Sequence, residues 1–236
     1  MNANADIFPG PELVAALADD TAAPISAEIS CESKDWNPED FAREQIRSLV
    51  RQVFFATGAS QVKQVVFSAA GANRDVAGVC TRVGEALALE TSADIAILDR
   101  KLDGTPATPA HPYLGSGPIK SWSTQIATNL WLVPEFEVRE CGVGARTSRY
   151  WLSSLTDLRN EFEYALIQGP PAGMSSEAAL LGKLSDGIIL IIGANNTRRA
   201  TARKIKDTLE AGHSRILGTV LSQRAFPIPE RIYRRL

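Results

Sequence analysis

The sequence predicts an α/β fold, in which a mostly parallel β-sheet lies between two layers of helices. Short runs rich in Val, Ile and Leu alternate along the chain with longer amphipathic segments, as expected for parallel strands that are covered on both faces. The composition, 44% hydrophobic and 22% charged, is typical of a globular domain. The longest apolar run, Ile188 to Ile192, is much shorter than the ~20 residues of a membrane-spanning helix.

The distribution of apolar and charged residues divides the chain into two regions. We expect residues 1–37 to form an acidic, irregular arm and residues 38–236 to form the α/β domain with a basic C-terminal tail. Residues 1–40 hold nine acids and one lysine, whereas residues 198–236 hold ten basic residues and three acids. These ends could pair with each other, with another subunit or with other partners, or could be two solvated surfaces.

The elements are predicted in order from periodicity and caps. The first helix begins after Asn37, a good N-cap, with Pro38 in its first turn and an apolar stripe to Val53. Thr197 is the predicted N-cap and Gly212 the predicted stop of the last helix. The other predicted elements are strand 63–69, helix 75–90, strand 93–99, strand 129–133 after a Pro/Gly-rich loop at 103–118, helix 147–162, strand 164–169, helix 175–184, strand 186–194, helix 197–212 and strand 215–222.

Ligands of open parallel sheets bind at the carboxyl ends of the strands. Four such ends can be located in the sequence, and they carry "SAAGANRDVAG" (68–78), "DRKLDG" (99–104), "QGPPAG" (168–173) and "SQRAF" (222–226). The first of these lies between a strand and a helix, where many α/β proteins bind a phosphate.

Other common site chemistries are not supported by the sequence. Cys31, Cys80 and Cys141 are far apart and form no C-x-x-C, so we expect neither disulfides nor zinc. His111 and His213 are isolated, and we interpret both as solvated loop residues. No secretory signal pattern is visible, which together with the cysteine usage predicts a cytoplasmic protein.

The order of these elements resembles a known family. It is similar to the P-loop ATPase domain of the bacterial tyrosine kinases that accompany capsule and exopolysaccharide export, within the MinD/ParA-like branch of P-loop proteins. The resemblance covers about residues 38–236 and rests on segments such as "VVFSAAG", "IAILDRKLDG", "YALIQGPPAG" and "SDGIILIIGANNTRRAT". It implies a P-loop-NTPase-like fold whose active members bind ATP and Mg²⁺.

At most positions where that family has its nucleotide- and Mg-binding residues, this sequence has side chains that cannot bind either. An ungapped reading of its first motif places the last glycine on Asp75, the phosphate-binding lysine on Val76 and the Mg-binding hydroxyl on Ala77. The D-x-D motif falls on Asp99 to Lys101, and the Walker B aspartate falls on Gln168. The predicted vestigial positions are therefore Gly71, Asp75, Val76 and Ala77 in the phosphate loop, and Asp99, Lys101 and Gln168 in the acidic motifs.

These substitutions remove the charges that hold a nucleotide. Val76 supplies no cation and Ala77 no metal ligand, while Asp75 adds a negative charge that repels a phosphate by about 4 kcal/mol at 4 Å and an effective dielectric near 20. Asp75 also suits the N-cap of the following helix. We therefore expect no catalytic residue, no metal and no cofactor, with Arg74 and Lys101 as the candidates that could rescue anion binding.

Two segments are candidate interaction surfaces. The family assembles rings through E-x-x-R-x-x-R on the first helix; here Glu44 and Arg47 match, but Arg51 lies one residue beyond the third position. One residue turns a helical side chain by about 100°, so an ordinary surface pair between Glu44 and Arg47 is the alternative. The basic C-terminal segment, which could dock on a partner or pack on the domain, contributes Arg231, Tyr233 and Arg234.

The function predicted from these observations is that of a pseudoenzyme. We expect a cytoplasmic, non-catalytic scaffold or regulator that resembles the exopolysaccharide and capsule tyrosine kinases. Its expected partners are proteins, either an inner-membrane co-polymerase or export protein or an active paralogue, with homo-oligomers as a further option and no nucleic acid. The alternatives are an active kinase or ATPase with a rearranged site, a binder of another anionic ligand such as a nucleotide sugar, and a MinD-like positioning protein.

Overall fold

A computed structural model of the chain describes most of the α/β domain. The described residues are 38–56, 61–71, 75–99, 117–135, 147–194 and 196–222. Within them, none of the helices is long and apolar enough to cross a membrane.

The described residues form five α-helices, one 3-10 helix and seven strands. The strands are β1 (Gln64–Ala69), β2 (Ile95–Asp99), β3 (Thr124–Ala127), β4 (Leu130–Pro134), β5 (Tyr164–Gln168), β6 (Gly187–Gly193) and β7 (Ile216–Ser222). The helices are α1 (Pro38–Phe54), α2 (Val76–Glu90), α3 (Ser148–Glu161), α4 (Glu177–Leu184) and α5 (Arg199–Ala211), with the 3-10 helix at Ile119–Trp122. Most predicted elements are thus confirmed to within two residues at each end.

All seven strands belong to one sheet, in the order β3-β4-β2-β5-β1-β6-β7. Every pair is parallel except β3 with β4, which is antiparallel. The central strand β1 lies between β5 and β6, with Phe67 opposite Gln168 and Ile189. The predicted three-layer α/β/α architecture with a mostly parallel sheet is confirmed.

Alternate side chains of the strands fill two cores, one on each face of the sheet. Val65 and Phe67 of β1 pack with α1 and α2, whereas Val66 of the same strand packs with α3, α4 and α5. All three side chains are fully buried. Because both faces are covered, the strands appear in the sequence as continuous apolar runs rather than as alternating ones.

Two details differ from the sequence prediction. Strand β3 was not predicted, because all four of its side chains are exposed and so show no apolar pattern. The N-cap of α5 is Arg198 rather than Thr197, and no side chain caps this end. The reason is local: the Thr197 amide donates to the Gly193 carbonyl at 3.1 Å, which holds Thr197 in a turn after β6.

Two other predicted caps are confirmed: Asp75 is the N-cap of α2, and Gly212 is the C-cap of α5. A further cap, which was not predicted, is at the start of α3, where the Thr147 hydroxyl accepts a hydrogen bond from the Tyr150 amide. Several predicted positions lie outside the described residues: Asn37, Arg74, Lys101, His111, Cys31, Cys141, Arg231, Tyr233, Arg234, the arm at 1–37 and most of the loop at 103–118.

Candidate functional site

The segments that the sequence analysis compares with nucleotide-binding motifs lie at one edge of the sheet. Strands β2, β5 and β1 are neighbours and run parallel, so their carboxyl ends lie side by side. They end at Asp99, Gln168 and Ala69, the last of which leads through Gly71 to α2. The sequence prediction that these three segments share one edge is consistent with this topology.

Backbone hydrogen bonds join the loops at this edge. The Ala70 amide donates to the Ile191 carbonyl of β6 at 2.9 Å, and the Ala172 amide donates to the Ala69 carbonyl at 2.8 Å. The turn after β5 lies so close that a Cβ on Gly173 would be 2.6 Å from the Ala70 oxygen. The turn 169–173 is therefore fixed against the start of the phosphate-loop segment, while no described residue lies within 4 Å of a Cβ placed on Gly71.

Asp75 is the N-cap of α2, the helix whose N-terminus would bind a phosphate in a P-loop protein. Its Oδ1 accepts a hydrogen bond from the Gly78 amide at 2.7 Å, and its Oδ2 lies 3.5 Å from Nη2 of Arg82. The Arg82 Nε also donates to the Gly78 carbonyl at 3.1 Å. The positive N-terminus of α2 thus already contacts a carboxylate of its own chain. The positive charge of Arg82, one turn further along the helix, balances the negative charge of this carboxylate.

In its observed position the Asp75 carboxylate leaves no room for a side chain at residue 78. A Cβ placed on Gly78 would be 2.0 Å from Asp75 Oδ2 and 2.6 Å from its Cγ, which is too short for any contact. The carboxylate at 75 and the glycine at 78 therefore depend on one another.

A double-mutant cycle tests this dependence. In an Asp75→Ala background we expect Gly78→Ala to stabilise the protein by about 1 kcal/mol, because alanine favours helix more than glycine. In the wild-type background the new methyl displaces the capping carboxylate, so the same change should give no gain. The two changes should couple by about 1–2 kcal/mol in urea unfolding. Additive effects would contradict the dependence.

Val76 and Gln168 have no charge to offer at this edge. The Val76 side chain is 3% exposed and packs in the core with Val79 and Val83 of α2. Ala77 is exposed, and the neutral Gln168, at the end of β5, is 3% exposed. Where the family motif would supply a lysine and a Walker B carboxylate, this chain has a core valine and an amide.

Two described residues at this edge, Asp75 and Asp99, carry a negative charge. Burial raises the pKa of the Cys80 thiol on α2, and the carboxylates of Asp75 and Asp99 raise it further. Both carboxylates are therefore near enough to α2 for their fields to act on the same buried group. Among the described residues, no cluster of three or more His, Cys, Asp or Glu side chains could hold a metal ion.

The candidate interaction residues on α1 make ordinary surface pairs. Arg47 lies 3.8 Å from Glu44 in an i,i+3 pair, and Arg51 donates to Glu90 of α2 at 2.8 Å. The extra residue before Arg51 turns its side chain towards α2, as the 100° step of a helix requires. All six residues from Glu39 to Glu44 are exposed, Phe41 included.

Comparisons with known proteins agree with this architecture. No family model matches the chain. Over 94 residues it is 29% identical to the tyrosine-protein kinase CpsD of Streptococcus agalactiae serotype III, a match that covers 40% of each protein. The kinase domain of the Escherichia coli tyrosine kinase ETK has the same fold, with a TM-score of 0.62, 13% identity and coverage of 79% of both chains. Over those 94 residues the chain is similar to a bacterial tyrosine kinase, and its fold is that of the ETK kinase domain.

The fold is also similar to that of a MinD protein. The cell division protein MinD of Aquifex aeolicus matches with a TM-score of 0.52 and 15% identity, over 74% of this chain and 73% of MinD. At these identities the solved structures show the fold alone. The match to CpsD spans only 40% of the length of that kinase.

Proposed function

We propose that this chain is a non-catalytic module of capsule or exopolysaccharide synthesis, which acts through protein contacts rather than phosphoryl transfer. The observation that carries the proposal is the Asp75 carboxylate hydrogen-bonded to the Gly78 amide at the N-terminus of α2. An NTPase offers such amides to phosphate oxygens. A carboxylate at this position competes for those amides and repels a phosphate.

The described residues at this edge do not fit a magnesium nucleotide. ATP needs cations and metal ligands, and the positions that would hold them carry Val76, Ala77 and Gln168. The two acids Asp75 and Asp99 make the edge more negative. Arg74 and Lys101 remain predictions as rescuing cations, and the nucleotide experiment tests them together with the site.

The partner proposed for this module is an inner-membrane polysaccharide co-polymerase or export protein, or an active kinase paralogue, with the module on the cytoplasmic side. The sequence match to CpsD and the shared fold with ETK support a place beside such proteins. The proposal needs no ATP, no metal and no nucleic acid.

Thermal unfolding with and without Mg-ATP or Mg-ADP tests the proposal. We expect no change in Tm at millimolar nucleotide, whereas binding at about a hundredfold excess over Kd would stabilise the fold by about 2.7 kcal/mol. A clear rise in Tm that Lys101→Ala abolishes would contradict the proposal and identify a rearranged nucleotide site. A rise with nucleotide sugars alone would instead support a binder of another anionic ligand.

A second measurement tests, in the cell, whether the protein acts without catalysis. Polysaccharide yield in a deletion strain should be restored equally by the wild type and by Gln168→Ala or Asp99→Asn, because neither side chain takes part in a reaction. A loss of yield with correctly folded Gln168→Ala protein would count against a non-catalytic role.

A further inference from the structure

The first half of helix α5 carries a concentration of positive charge. From the N-cap onwards, four of the seven residues at 198–204 are basic, and none is acidic: the four are Arg198, Arg199, Arg203 and Lys204. All four are exposed, and no ion pair to any of them is found among the described residues. No side chain caps this end of α5, so the positive end of the helix dipole adds to the charge.

The acids of α5 lie in its second half. Asp207 lies one turn beyond Arg203, but eight residues, or about 12 Å along the helix, beyond Arg199. Glu210 lies further on and pairs with Lys206 at 2.9 Å. Charges more than about 8 Å apart are largely screened at physiological ionic strength. These acids therefore offset Arg203 in part and the basic N-terminus of the helix only a little.

Two other segments lie beside this end of α5. The helix follows β6, so its N-terminus lies at the carboxyl edge of the sheet. The turn after β5 and the last residues of the parallel strand β7 lie at the same edge. In that turn, a Cβ on Gly173 would be 3.2 Å from Cδ1 of Ile205, which places the turn against α5.

Two large apolar side chains are exposed in these segments. Met174, which follows Gly173 in the turn, is 73% exposed. Leu221 is 61% exposed and is the register partner of Ile192, which packs against the same core as Ile205 of α5. Register partners in parallel strands point to the same face of a sheet, so Leu221 lies on the face that α5 covers. Basic and exposed apolar side chains thus share one corner of the domain.

The acids of the carboxyl edge lie on the other face of the sheet. Asp75 caps α2, which packs on the face opposite α5. Asp99 lies two residues beyond Ile97 of β2, whose side chain packs in the core with α2, so both point to that face. The corner beside α5 is therefore separate from the candidate nucleotide site.

A surface that combines cations with exposed apolar side chains fits an anionic lipid membrane. Proteins that bind at a membrane surface insert apolar side chains at the headgroup boundary, and their cations contact anionic headgroups. A nucleic acid would contact the cations through its phosphates, but Met174 and Leu221 would add nothing to such contacts. The joint exposure of both kinds of side chain favours lipid.

We propose that the chain docks directly on an anionic lipid surface through this α5 corner, which consists of Arg198, Arg199, Arg203, Lys204, Met174 and Leu221. The corner is distinct from the α1 positions Glu44, Arg47 and Arg51. Lipid binding does not depend on whether the chain binds a nucleotide, so the experiment below and the nucleotide test can fail separately.

Co-sedimentation of the full chain with lipid vesicles tests the proposal. We expect binding to phosphatidylcholine vesicles that contain about 30% phosphatidylglycerol, and none to phosphatidylcholine alone. Arg199→Glu should weaken binding at least about tenfold, because each unit charge near such a surface changes binding by about a factor of five. Lys183→Glu makes the same charge change at an exposed position in the last turn of α4, at the opposite edge of the sheet, and should leave binding within about twofold.

The apolar contact has its own pair of variants. Met174→Asp should weaken binding at least about fivefold, because a carboxylate replaces a side chain that enters the interface. Leu89→Asp, near the end of α2 at the opposite edge, changes a side chain that is 79% exposed and should have no such effect. An unchanged Tm would show that each variant is folded.

Four outcomes would overturn the proposal. The first is that the wild type binds neither kind of vesicle, or binds both equally. The second is that Arg199→Glu leaves binding intact, and the third is that Met174→Asp does so. The fourth is displacement of the chain from the vesicles by a DNA duplex of about 20 base pairs at equal phosphate concentration, which would assign the α5 corner to a nucleic acid instead.

Discussion

Replacement of Asp186 by alanine should destabilise the domain by about 3 kcal/mol. Its Oδ2 accepts hydrogen bonds from the backbone amides of Lys63 at 2.7 Å and Gln64 at 2.8 Å. Its Oδ1 accepts from Arg159 of α3 at 2.8 Å. Alanine leaves two partly buried amides without this acceptor, and each such amide costs about 1–3 kcal/mol.

Because these contacts hold the central strand of the sheet, their loss should destabilise the whole domain. The two amides precede and begin β1, the central strand, and the Asp186 amide donates in turn to the Gln64 carbonyl at 3.0 Å. One carboxylate therefore joins the start of β1, the start of β6 and the end of α3. We expect the change to appear in the whole cooperative transition rather than as local fraying.

Urea unfolding with two controls checks this expectation. Asp186→Asn keeps an acceptor for the amides and should cost about 1 kcal/mol, mainly from the lost pair with Arg159. Glu163→Ala removes an exposed partner of Lys63 at the same end of the sheet and should cost less than about 0.5 kcal/mol. If Asp186→Ala costs no more than Glu163→Ala, the carboxylate does not hold the strand.

Much of this architecture could be predicted from the sequence because the signals are local. The apolar runs at 65–67 and 188–192 mark strands, and the cap at Asp75 follows from an acid before an amphipathic segment. The meeting of Asp99, Gln168 and the phosphate-loop segment follows from a general rule for parallel sheets. Each of these predictions depends on residues close together in the chain or on topology.

The contacts that were not predicted join residues far apart in sequence. Asp186 is more than 120 residues from the amides it binds, and in the sequence it is only the first residue of a predicted strand. Strand β3 has no buried side chain, so only its backbone pairing with β4 defines it. The dependence between Asp75 and Gly78 is local, but it becomes visible only when the position of the carboxylate is known.

Restoring the missing lysine alone should damage the fold without restoring a nucleotide site. The Val76 side chain is 3% exposed and lies on the face of α2 that is packed in the core. We expect Val76→Lys to cost about 2–4 kcal/mol, because the core must accommodate an ammonium group or lose it by deprotonation. Millimolar Mg-ATP should not raise the Tm of the variant, since Asp75 still occupies the amide of Gly78 and Gln168 still offers no carboxylate.

The neighbouring position provides the matched control. Ala77 is exposed one residue further along the same helix turn, so Ala77→Lys adds the same charge outside the core and should change stability by less than about 0.5 kcal/mol. A stable Val76→Lys protein that binds Mg-ATP would mean that residue 76 can turn out of the core towards a phosphate. In that case the carboxylate cap at Asp75 would not prevent nucleotide binding, and the missing cation at position 76 would matter more.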